Sequence, residues 1–208
     1  MIDSEVAAKA WIVERFGNEV LETLEEFVGL LKAENEHQNL IASGSIDAIW
    51  RRHIVDSLQL LQHVPRGTEG AWLDLGSGAG FPGLVVSIAT PDRQLVLVES
   101  RRKRVEWLQG ITERFALTNC RVLGSRIESV DIFPAGVISA RAFAPLPKLL
   151  AISARFSTPD TVWLLPKGRS AAQELADQPR PVRNLFHVEQ SLTDAEAQVL
   201  VGKGIPPL

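Results

Sequence analysis

The stretch Leu73-Asp74-Leu75-Gly76-Ser77-Gly78-Ala79-Gly80-Phe81-Pro82-Gly83 directly continues an apolar run that begins at Ala71. Its glycines let the backbone turn sharply and approach a ligand closely, and the free N–H groups of a helix that begins after the turn would face that ligand. The stretch therefore predicts a strand, a tight turn and a helix, with a nucleotide-like ligand at the end of the strand.

The spacing of these glycines separates two kinds of nucleotide fold. Gly78 to Gly83 fits the dinucleotide pattern G-x-G-x-x-G by letter, but that pattern is counted from the glycine that leaves the strand. Counted from Gly76, the sixth position is Phe81. The better match is acidic-x-G-x-G-x-G with Asp74 as the acid, which resembles the loop of S-adenosylmethionine-dependent methyltransferases. An NAD-linked oxidoreductase remains the alternative on a similar sheet.

Downstream of this turn, short apolar runs alternate with helical stretches. The predicted strands cover 71–75, 95–98, 120–123, 137–140 and 162–165, with helices over 81–89, 101–115 and 145–156. Strands separated by helices imply right-handed crossovers and a parallel sheet covered on both faces. Residues 185–188 and 198–201 are expected to pair as a closing antiparallel hairpin. The predicted fold class is α/β, a Rossmann-like class I S-adenosylmethionine-dependent methyltransferase fold with a mainly parallel sheet and an N-terminal helical cap.

The cap is predicted from the first seventy residues. Apolar residues recur there at three- and four-residue spacings over 6–32, with a break near Gly17-Asn18, and again from 47 until Pro65 and Gly67 stop the pattern. We therefore expect a helical cap over residues 1–70 and a Rossmann-like methyltransferase domain over residues 71–208.

The composition argues against a disordered chain, a collagen-like repeat and a coiled coil. With 208 residues, 45% hydrophobic and 23% charged, the chain has the profile of a globular protein. Its apolar runs fall far short of the roughly 18 residues that span a bilayer, and Met1 to Glu5 is no signal sequence. We expect a cytoplasmic monomer with no membrane partner. The single cysteine, Cys120, cannot form an intramolecular disulfide or half of a zinc site, so no metal site is expected.

Further candidate cofactor residues follow the later strands. Glu99 ends the second predicted strand, where a carboxylate accepts hydrogen bonds from both ribose hydroxyls of an adenosine cofactor. Ile127 and Glu128 follow the third strand and are expected beside the adenine, as an apolar wall and a polar neighbour. Asp74 as a turn or helix cap and Glu128 as a surface acid are the structural alternatives.

The sequence also narrows the methyl acceptor. Methylation of base amino groups commonly uses an Asn/Asp-Pro-Pro-aromatic loop after the fourth strand, but this chain has Arg141-Ala142-Phe143-Ala144-Pro145 there. Carbon methylation of pyrimidines needs a thiolate, whereas Cys120 is expected to be a small buried residue. The N7 of guanine carries a free lone pair, so positioning it in line with the donor is sufficient without a general base.

Five motifs follow one another in a specific order between residues 39 and 168. They are Asn39-Leu40-Ile41-Ala42, Arg52-His53-Ile54-Val55-Asp56-Ser57-Leu58, the glycine turn, Ser139-Ala140-Arg141-Ala142-Phe143 and Leu165-Pro166-Lys167-Gly168. Together they resemble the bacterial 16S ribosomal RNA guanine-N7 methyltransferases, the RsmG or glucose-inhibited division protein B family. Where the family usually has Asn-Leu-Thr and Ser-Arg-Ala, this chain has Asn39-Leu40-Ile41 and Ala140-Arg141-Ala142, so one hydroxyl is missing at each place.

This resemblance implies transfer of a methyl group from S-adenosylmethionine to the N7 of one guanine in the decoding-region loop of 16S rRNA. The substrate would be the naked RNA or the 30S particle, and a small molecule or a protein is the alternative acceptor. By motif match, the cofactor-contacting positions are Gly76, Phe81, Ile127, Glu128 and Arg141. With Asp74, Gly78 and Glu99 they form the candidate cofactor site.

Arg141 is also the candidate catalytic residue, by positioning rather than by proton transfer. At the mouth of the sheet it would bind the cofactor, an RNA phosphate or the guanine, and its structural alternative is a salt bridge to an acid such as Asp74 or Glu128. His53 and Asp56 lie three residues apart on one helix face, but N7 chemistry has no proton for such a pair to remove. We expect His53 to be hydrogen-bonded within the fold, where it closes the cap onto the sheet.

Candidate RNA contacts come from polar and basic residues. They are Asn39, Lys167 and the run Arg101, Arg102, Lys103 and Arg104. The run is expected to bind phosphates, because long cations at the start of a helix respond to charge rather than to sequence. Ordinary solvated surface is the alternative for the run.

Overall fold

A computed structural model describes residues 1–207 and contains a seven-stranded sheet. The strands are β1 (Ala71–Leu75), β2 (Leu95–Glu99), β3 (Cys120–Gly124), β4 (Ala135–Ala140), β5 (Val162–Lys167), β6 (Phe186–Gln190) and β7 (Gln198–Lys203). Their order is β3-β2-β1-β4-β5-β7-β6. The first five are parallel, and β7 runs antiparallel to both β5 and β6. The predicted parallel sheet and closing hairpin are confirmed.

The direction of the chain across the sheet determines where a ligand can bind. From β1 the chain continues to β2 and β3 on one side, and then crosses to β4 on the other side of β1. The carboxyl ends of β1 and β4 therefore flank a crevice, because the crossover connections leave them in opposite directions. Both strands are almost fully buried, so this crevice has a rigid floor.

Eight α-helices accompany the sheet over the described residues. They are α1 (Glu5–Phe16), α2 (Asn18–Asn35), α3 (Asp56–Leu58), α4 (Gly83–Ala89), α5 (Arg102–Arg114), α6 (Leu146–Ser153), α7 (Ala171–Ala176) and α8 (Arg180–Arg183). Ser4 caps α1 by accepting from the Ala7 N–H at 3.2 Å. Gly17, with φ of +86°, separates α1 from α2 as the sequence predicted. Within residues 1–207, no helix has both the length and the apolar character needed to cross a membrane.

The segment from 47 onward, where the apolar spacing predicts a third cap helix, is less regular than a single α-helix. It consists of a 3-10 turn (Ser43–Ala48), a π-helical stretch (Trp50–Val55), the short α3 and a second 3-10 turn (Gln59–His63). The carboxylate of Glu5 on α1 accepts from the backbone N–H groups of Trp50 and Arg51 at 2.9 and 3.0 Å. This contact from another helix satisfies donors at the start of the π stretch, and the periodicity of the segment alone gives no sign of it.

The cap and the sheet segment share one hydrophobic core. Phe27 of α2 has no exposed surface and belongs to the same cluster as Leu84 of α4 and Leu108 of α5. The Phe27 ring meets the Phe81 ring edge-on, with centroids 5.9 Å apart. The last helical turn of the cap ends at His63, and the first strand begins at Ala71. The division into two domains remains a proposal, and we infer from the shared core that the two parts fold together.

Phe27→Ala tests this coupling. The substitution should lower the free energy of unfolding by about 3–5 kcal/mol, because it leaves a cavity between the cap and the glycine turn. Urea denaturation followed by circular dichroism and by tryptophan fluorescence should show a single transition. The control is Val6→Ala, since Val6 is 79% exposed and its removal should change stability by no more than about 0.5 kcal/mol. Two separate transitions would show that the cap folds on its own.

Candidate active site

The turn after β1 depends on backbone conformations that favour glycine. Gly76, Gly78 and Gly80 have φ angles of +65°, +57° and +107°. The Gly76 N–H donates to the Val98 carbonyl at 2.8 Å, which ties the start of the turn to β2. The turn is thus fixed at its first residue and leads directly into α4.

Asp74 holds the turn from beneath. Its side chain has no exposed surface, and its carboxylate accepts from the Gly83 N–H at 3.1 Å and from the Ser139 hydroxyl at 2.7 Å. Ser139 in turn accepts from the indole N–H of Trp72 at 2.8 Å. Burial raises the pKa of Asp74, and the hydrogen bonds oppose that rise. The contact of Asp74 with a cofactor remains a prediction, and the role visible in the structure is to join β1, β4 and α4.

Glu99 holds the other side of the turn. One carboxylate oxygen accepts from the Gly78 N–H at 3.1 Å. The other accepts from the N–H groups of Ser100 and Arg101, each at 2.8 Å. Glu99 therefore fixes the end of β2, the glycine turn and the beginning of α5 relative to one another. Glu99 lines the cleft at the end of β2, and its contact with a ribose remains a prediction.

The carboxyl ends of the strands enclose a cleft of about 370 Å³. Four of the predicted cofactor-binding residues line it: Gly76, Glu99, Ile127 and Glu128. Ile127 is buried and Glu128 is exposed. Four basic side chains belong to the same lining: Arg101, Arg104, Arg126 and Lys148. The cleft thus combines two acids and an apolar wall with a basic rim.

Two residues that the sequence analysis did not assign shape this cleft. The Phe143 ring lies against Gly76 so closely that a Cβ at Gly76 would come within 2.5 Å of it. Arg155 donates to the carbonyls of Ile127 and Val130 and so fixes the short turn that carries Glu128. Phe143 stands inside a motif quoted for the family resemblance, whereas no sequence signal pointed to Arg155.

Arg141 lies on the cap side of the glycine turn. Its guanidinium donates to Nδ1 of His53 at 3.0 Å and lies over the Phe81 ring, 4.9 Å from the centroid. The nearest carboxylate is that of Asp56, whose Oδ2 is 3.8 Å away. The structural alternative, a salt bridge to an acid, is therefore observed, with Asp56 as the partner and not Asp74 or Glu128. Arg141 and Phe81, both predicted to contact the cofactor, are in direct contact with each other.

His53 joins the cap to the sheet, as the sequence predicted. Its ring stacks on Phe81 at 4.9 Å between centroids and 19° between planes. Burial and the neighbouring cations Arg141 and Arg52 lower the pKa of His53 to about 3. The imidazole is therefore neutral at physiological pH.

The candidate RNA contacts are dispersed. Arg101 and Arg104 line the cleft. Arg102 is exposed and pairs with Glu106 at 2.7 Å, and Asn39 is exposed in the turn after α2. Lys167 forms an ion pair with Glu174 at 2.9 Å and is 14% exposed. Lys103 is exposed beside Arg102, and the contact of each of these residues with RNA remains a prediction.

Cys120 lies at the start of β3, at the opposite end of the strand from the cleft. Burial raises the pKa of its thiol to about 11, so almost no thiolate is present at neutral pH. Within residues 1–207 there is also no group of three histidine, cysteine or acidic side chains arranged to hold a metal ion.

The strand order, the antiparallel seventh strand and the glycine turn held by acids at the ends of β1 and β2 define the class I methyltransferase fold. Precorrin-6y C5,15-methyltransferase from Geobacter metallireducens has this fold, with a TM-score of 0.56, 11% identity, and coverage of 80% of this chain and 92% of that one. A SAM-dependent methyltransferase from Aquifex aeolicus matches with a TM-score of 0.52, 16% identity, and coverage of 72% and 89%. The predicted fold class is confirmed.

Sequence comparison then defines the family. The family described as rRNA small subunit methyltransferase G (GidB) matches residues 20–200. The ribosomal RNA small subunit methyltransferase G of Erythrobacter litoralis is 57% identical over 204 residues, covering 98% of each chain. The chain belongs to the rRNA small subunit methyltransferase G family, which confirms the resemblance found in its motifs.

Asp74→Ala should weaken both the fold and the site. It leaves the Gly83 N–H and the Ser139 hydroxyl without their acceptor, at a cost of about 1–3 kcal/mol for each buried group. Asp74→Asn should lose less, because its amide oxygen still accepts from one of them. Urea denaturation at neutral pH measures both variants. A change within about 0.5 kcal/mol for Asp74→Ala would contradict the proposed anchoring role.

The pKa of His53 predicts an acid-dependent loss of stability. Because this pKa falls from 6.5 to about 3 on folding, the unfolded chain binds a proton between those values that the folded chain does not. The free energy of unfolding is therefore independent of His53 protonation above pH 6.5 and decreases as the pH falls from 6.5 toward 3. In the variant His53→Phe this decrease is absent. The free energy of unfolding of the wild type, measured relative to that of His53→Phe, should therefore fall by up to about 1.4 kcal/mol per pH unit. Paired urea titrations between pH 5 and 7.5 measure this, and a difference independent of pH would contradict it.

Proposed function

We propose that this chain transfers the methyl group of S-adenosylmethionine to the N7 of a guanine in 16S rRNA. The observation that carries the proposal is the glycine turn between two anchoring carboxylates, Asp74 and Glu99, beside a cleft with a basic rim. Membership of the rRNA small subunit methyltransferase G family supports small-subunit rRNA as the acceptor. The guanine N7 rests on the motif resemblance and on the chemistry of the residues in the site.

The residues of the cleft fit the proposed cofactor. Glu99 would bind the ribose, and Ile127 and Glu128 would lie beside the adenine. The backbone at Gly76 and Gly78 would allow close approach, with Phe81 and Arg141 on the other side of the turn. When bound, S-adenosylmethionine supplies an electrophilic methyl group on a sulfonium cation, for which aromatic and carboxylate neighbours are favourable.

Nucleophilic attack by N7 needs no proton acceptor from the chain. The N7 lone pair forms the new N–C bond as the C–S bond breaks, which leaves S-adenosylhomocysteine and a cationic 7-methylguanosine. In agreement with this, each carboxylate oxygen of Asp74 already accepts a hydrogen bond, and His53 is neutral and engaged on both nitrogens. The thiol of Cys120 stays protonated and lies away from the cleft. The site is built to orient its ligands, and orientation alone supplies a large part of a rate enhancement.

The rim of the cleft favours RNA over the alternative acceptors. The whole protein has a net charge of −3, yet the four basic residues of the cleft outnumber its two acids. A polyanion gains from such a local field through release of its counterions, whereas a neutral small molecule does not.

Methyl transfer from tritiated S-adenosylmethionine tests the proposal. The acceptors are 16S rRNA and 30S particles from cells that lack the modification, with 23S rRNA as a control. Label should appear in 16S rRNA, either as the naked RNA, within the 30S particle, or in both. Chain cleavage specific for 7-methylguanosine should locate the label at one position. Absence of label from both the naked RNA and the particle would refute the proposal. Label in protein or in a small molecule would favour the alternative acceptors.

The role of the basic run predicts a change in salt dependence. The double variant Arg101→Gln/Arg104→Gln should bind 16S rRNA more weakly, and the slope of log affinity against log salt should fall by about 0.7–0.9 for each lost phosphate contact. The matched control is Arg114→Gln on the last turn of the same helix, where Arg114 pairs with Glu26 at 2.7 Å. Equal slopes for the double variant and for Arg114→Gln would assign the run to ordinary surface.

A further inference from the structure

A short chain of polar groups crosses the junction between the cap and the glycine turn. The Ser45 hydroxyl is 2.7 Å from the Ala42 carbonyl and 2.8 Å from Nε2 of His53. Nδ1 of the same ring is 3.0 Å from Nη1 of Arg141. Ser45 and His53 belong to the cap, whereas Arg141 follows β4 and belongs to the sheet. The chain therefore connects two parts of the protein that are far apart in sequence.

The chemistry of these groups fixes the direction of every hydrogen bond. A guanidinium has donors only, so Nδ1 of His53 must accept from Arg141. The neutral ring then carries its hydrogen on Nε2, which donates to the Ser45 hydroxyl, and this hydroxyl donates to the Ala42 carbonyl. One tautomer of His53 thus satisfies all the partners. The low pKa of His53 agrees with this arrangement, because a second ring proton would face the guanidinium.

The other neighbours of Arg141 do not orient it in the same way. Asp56 Oδ2 is 3.8 Å from the guanidinium, which is too far for a direct hydrogen bond. The other oxygen of Asp56 accepts from Gln59 at 2.7 Å. The Arg52 carbonyl lies at 3.5 Å, at the limit of such contacts. Of these acceptors, Nδ1 of His53 is the one nearest to the guanidinium of Arg141. The same guanidinium lies over the face of the Phe81 ring.

We propose that His53 is a positioning residue for methyl transfer: its Nδ1 holds Arg141 against the Phe81 ring, and Ser45 holds His53 in the required tautomer. The inference rests on the proposed function. It explains what the cap contributes to the site, because the acceptor that meets Arg141, Nδ1 of His53, comes from the cap and not from the sheet. Arg141 and Phe81 therefore reach their observed arrangement only when the cap is folded against the glycine turn.

Two substitutions of His53 separate positioning from packing. His53→Asn retains an acceptor oxygen close to the place of Nδ1 but loses the ring that stacks on Phe81. His53→Phe retains a stacking ring but loses the acceptor. If His53 positions Arg141, kcat/KM for methyl transfer should fall about 10–100-fold in His53→Phe and recover most of the way in His53→Asn. If His53 only fills space, the order reverses, because phenylalanine fills that space better, and the proposal is overturned.

A second arm tests whether His53 acts through Arg141. In an Arg141→Ala background, His53→Phe should cause little further loss of kcat/KM, since the group that it positions is absent. An equal loss in both backgrounds would overturn the proposal. Melting temperatures by circular dichroism and S-adenosylhomocysteine affinities by calorimetry accompany each variant. If His53→Phe does not fold, Ser45→Ala takes its place, and unchanged kcat/KM in Ser45→Ala would overturn the proposed fixing of the tautomer.

The wild-type protein separates this inference from the proposed function. If the wild type labels 16S rRNA but His53→Phe has a higher kcat/KM than His53→Asn, only the role of His53 is overturned. A wild type that labels no 16S rRNA in either form would refute the function on which the inference rests.

Discussion

The carboxylate of Asp74 is the contact on which the arrangement of the site depends. It lies beneath the glycine turn and accepts from Gly83 at the start of α4 and from Ser139 on β4. A carboxylate suits this place because it offers only acceptors, and each donor around it is buried and has to be paired. Its burial has a cost, seen in the raised pKa, which the surrounding hydrogen bonds offset in part. With β1, β4 and α4 joined in this way, Glu99 can fix the outer side of the turn through Gly78.

Phe81 extends this constraint from the turn to the cap. Its ring contacts Phe27 of α2 edge-on, stacks on His53 and carries the guanidinium of Arg141. One aromatic residue of the glycine turn thus meets the shared core, the cap histidine and the arginine that follows β4. The cap therefore packs directly against the glycine turn and contacts two of the residues predicted to bind the cofactor, Phe81 and Arg141.

Local patterns were sufficient for most of the fold. The alternation of strands and helices, the glycine turn and the closing hairpin follow from periodicity and turn chemistry, and the predicted strand ends differ from the observed ones by two residues or fewer. The positions of Glu99 and of the 127–128 turn followed from strand order, because carboxyl ends of parallel strands meet at one edge.

The partners of Arg141 and Lys167 could not be predicted from the sequence. His53 is 88 residues from Arg141, and Glu174 belongs to the short helix α7, in a region without a clear pattern. The mixed helix types around His53 were missed for a related reason: Glu5 stabilises their start from another helix.

We propose that the turn held by Asp74 and Glu99 binds a sulfonium cofactor and not a dinucleotide. Isothermal titration calorimetry of the purified protein with S-adenosylhomocysteine and, separately, with NAD distinguishes the two. We expect saturable binding of S-adenosylhomocysteine at one site per chain and no heat of binding for NAD. Binding of NAD with no binding of S-adenosylhomocysteine would contradict it.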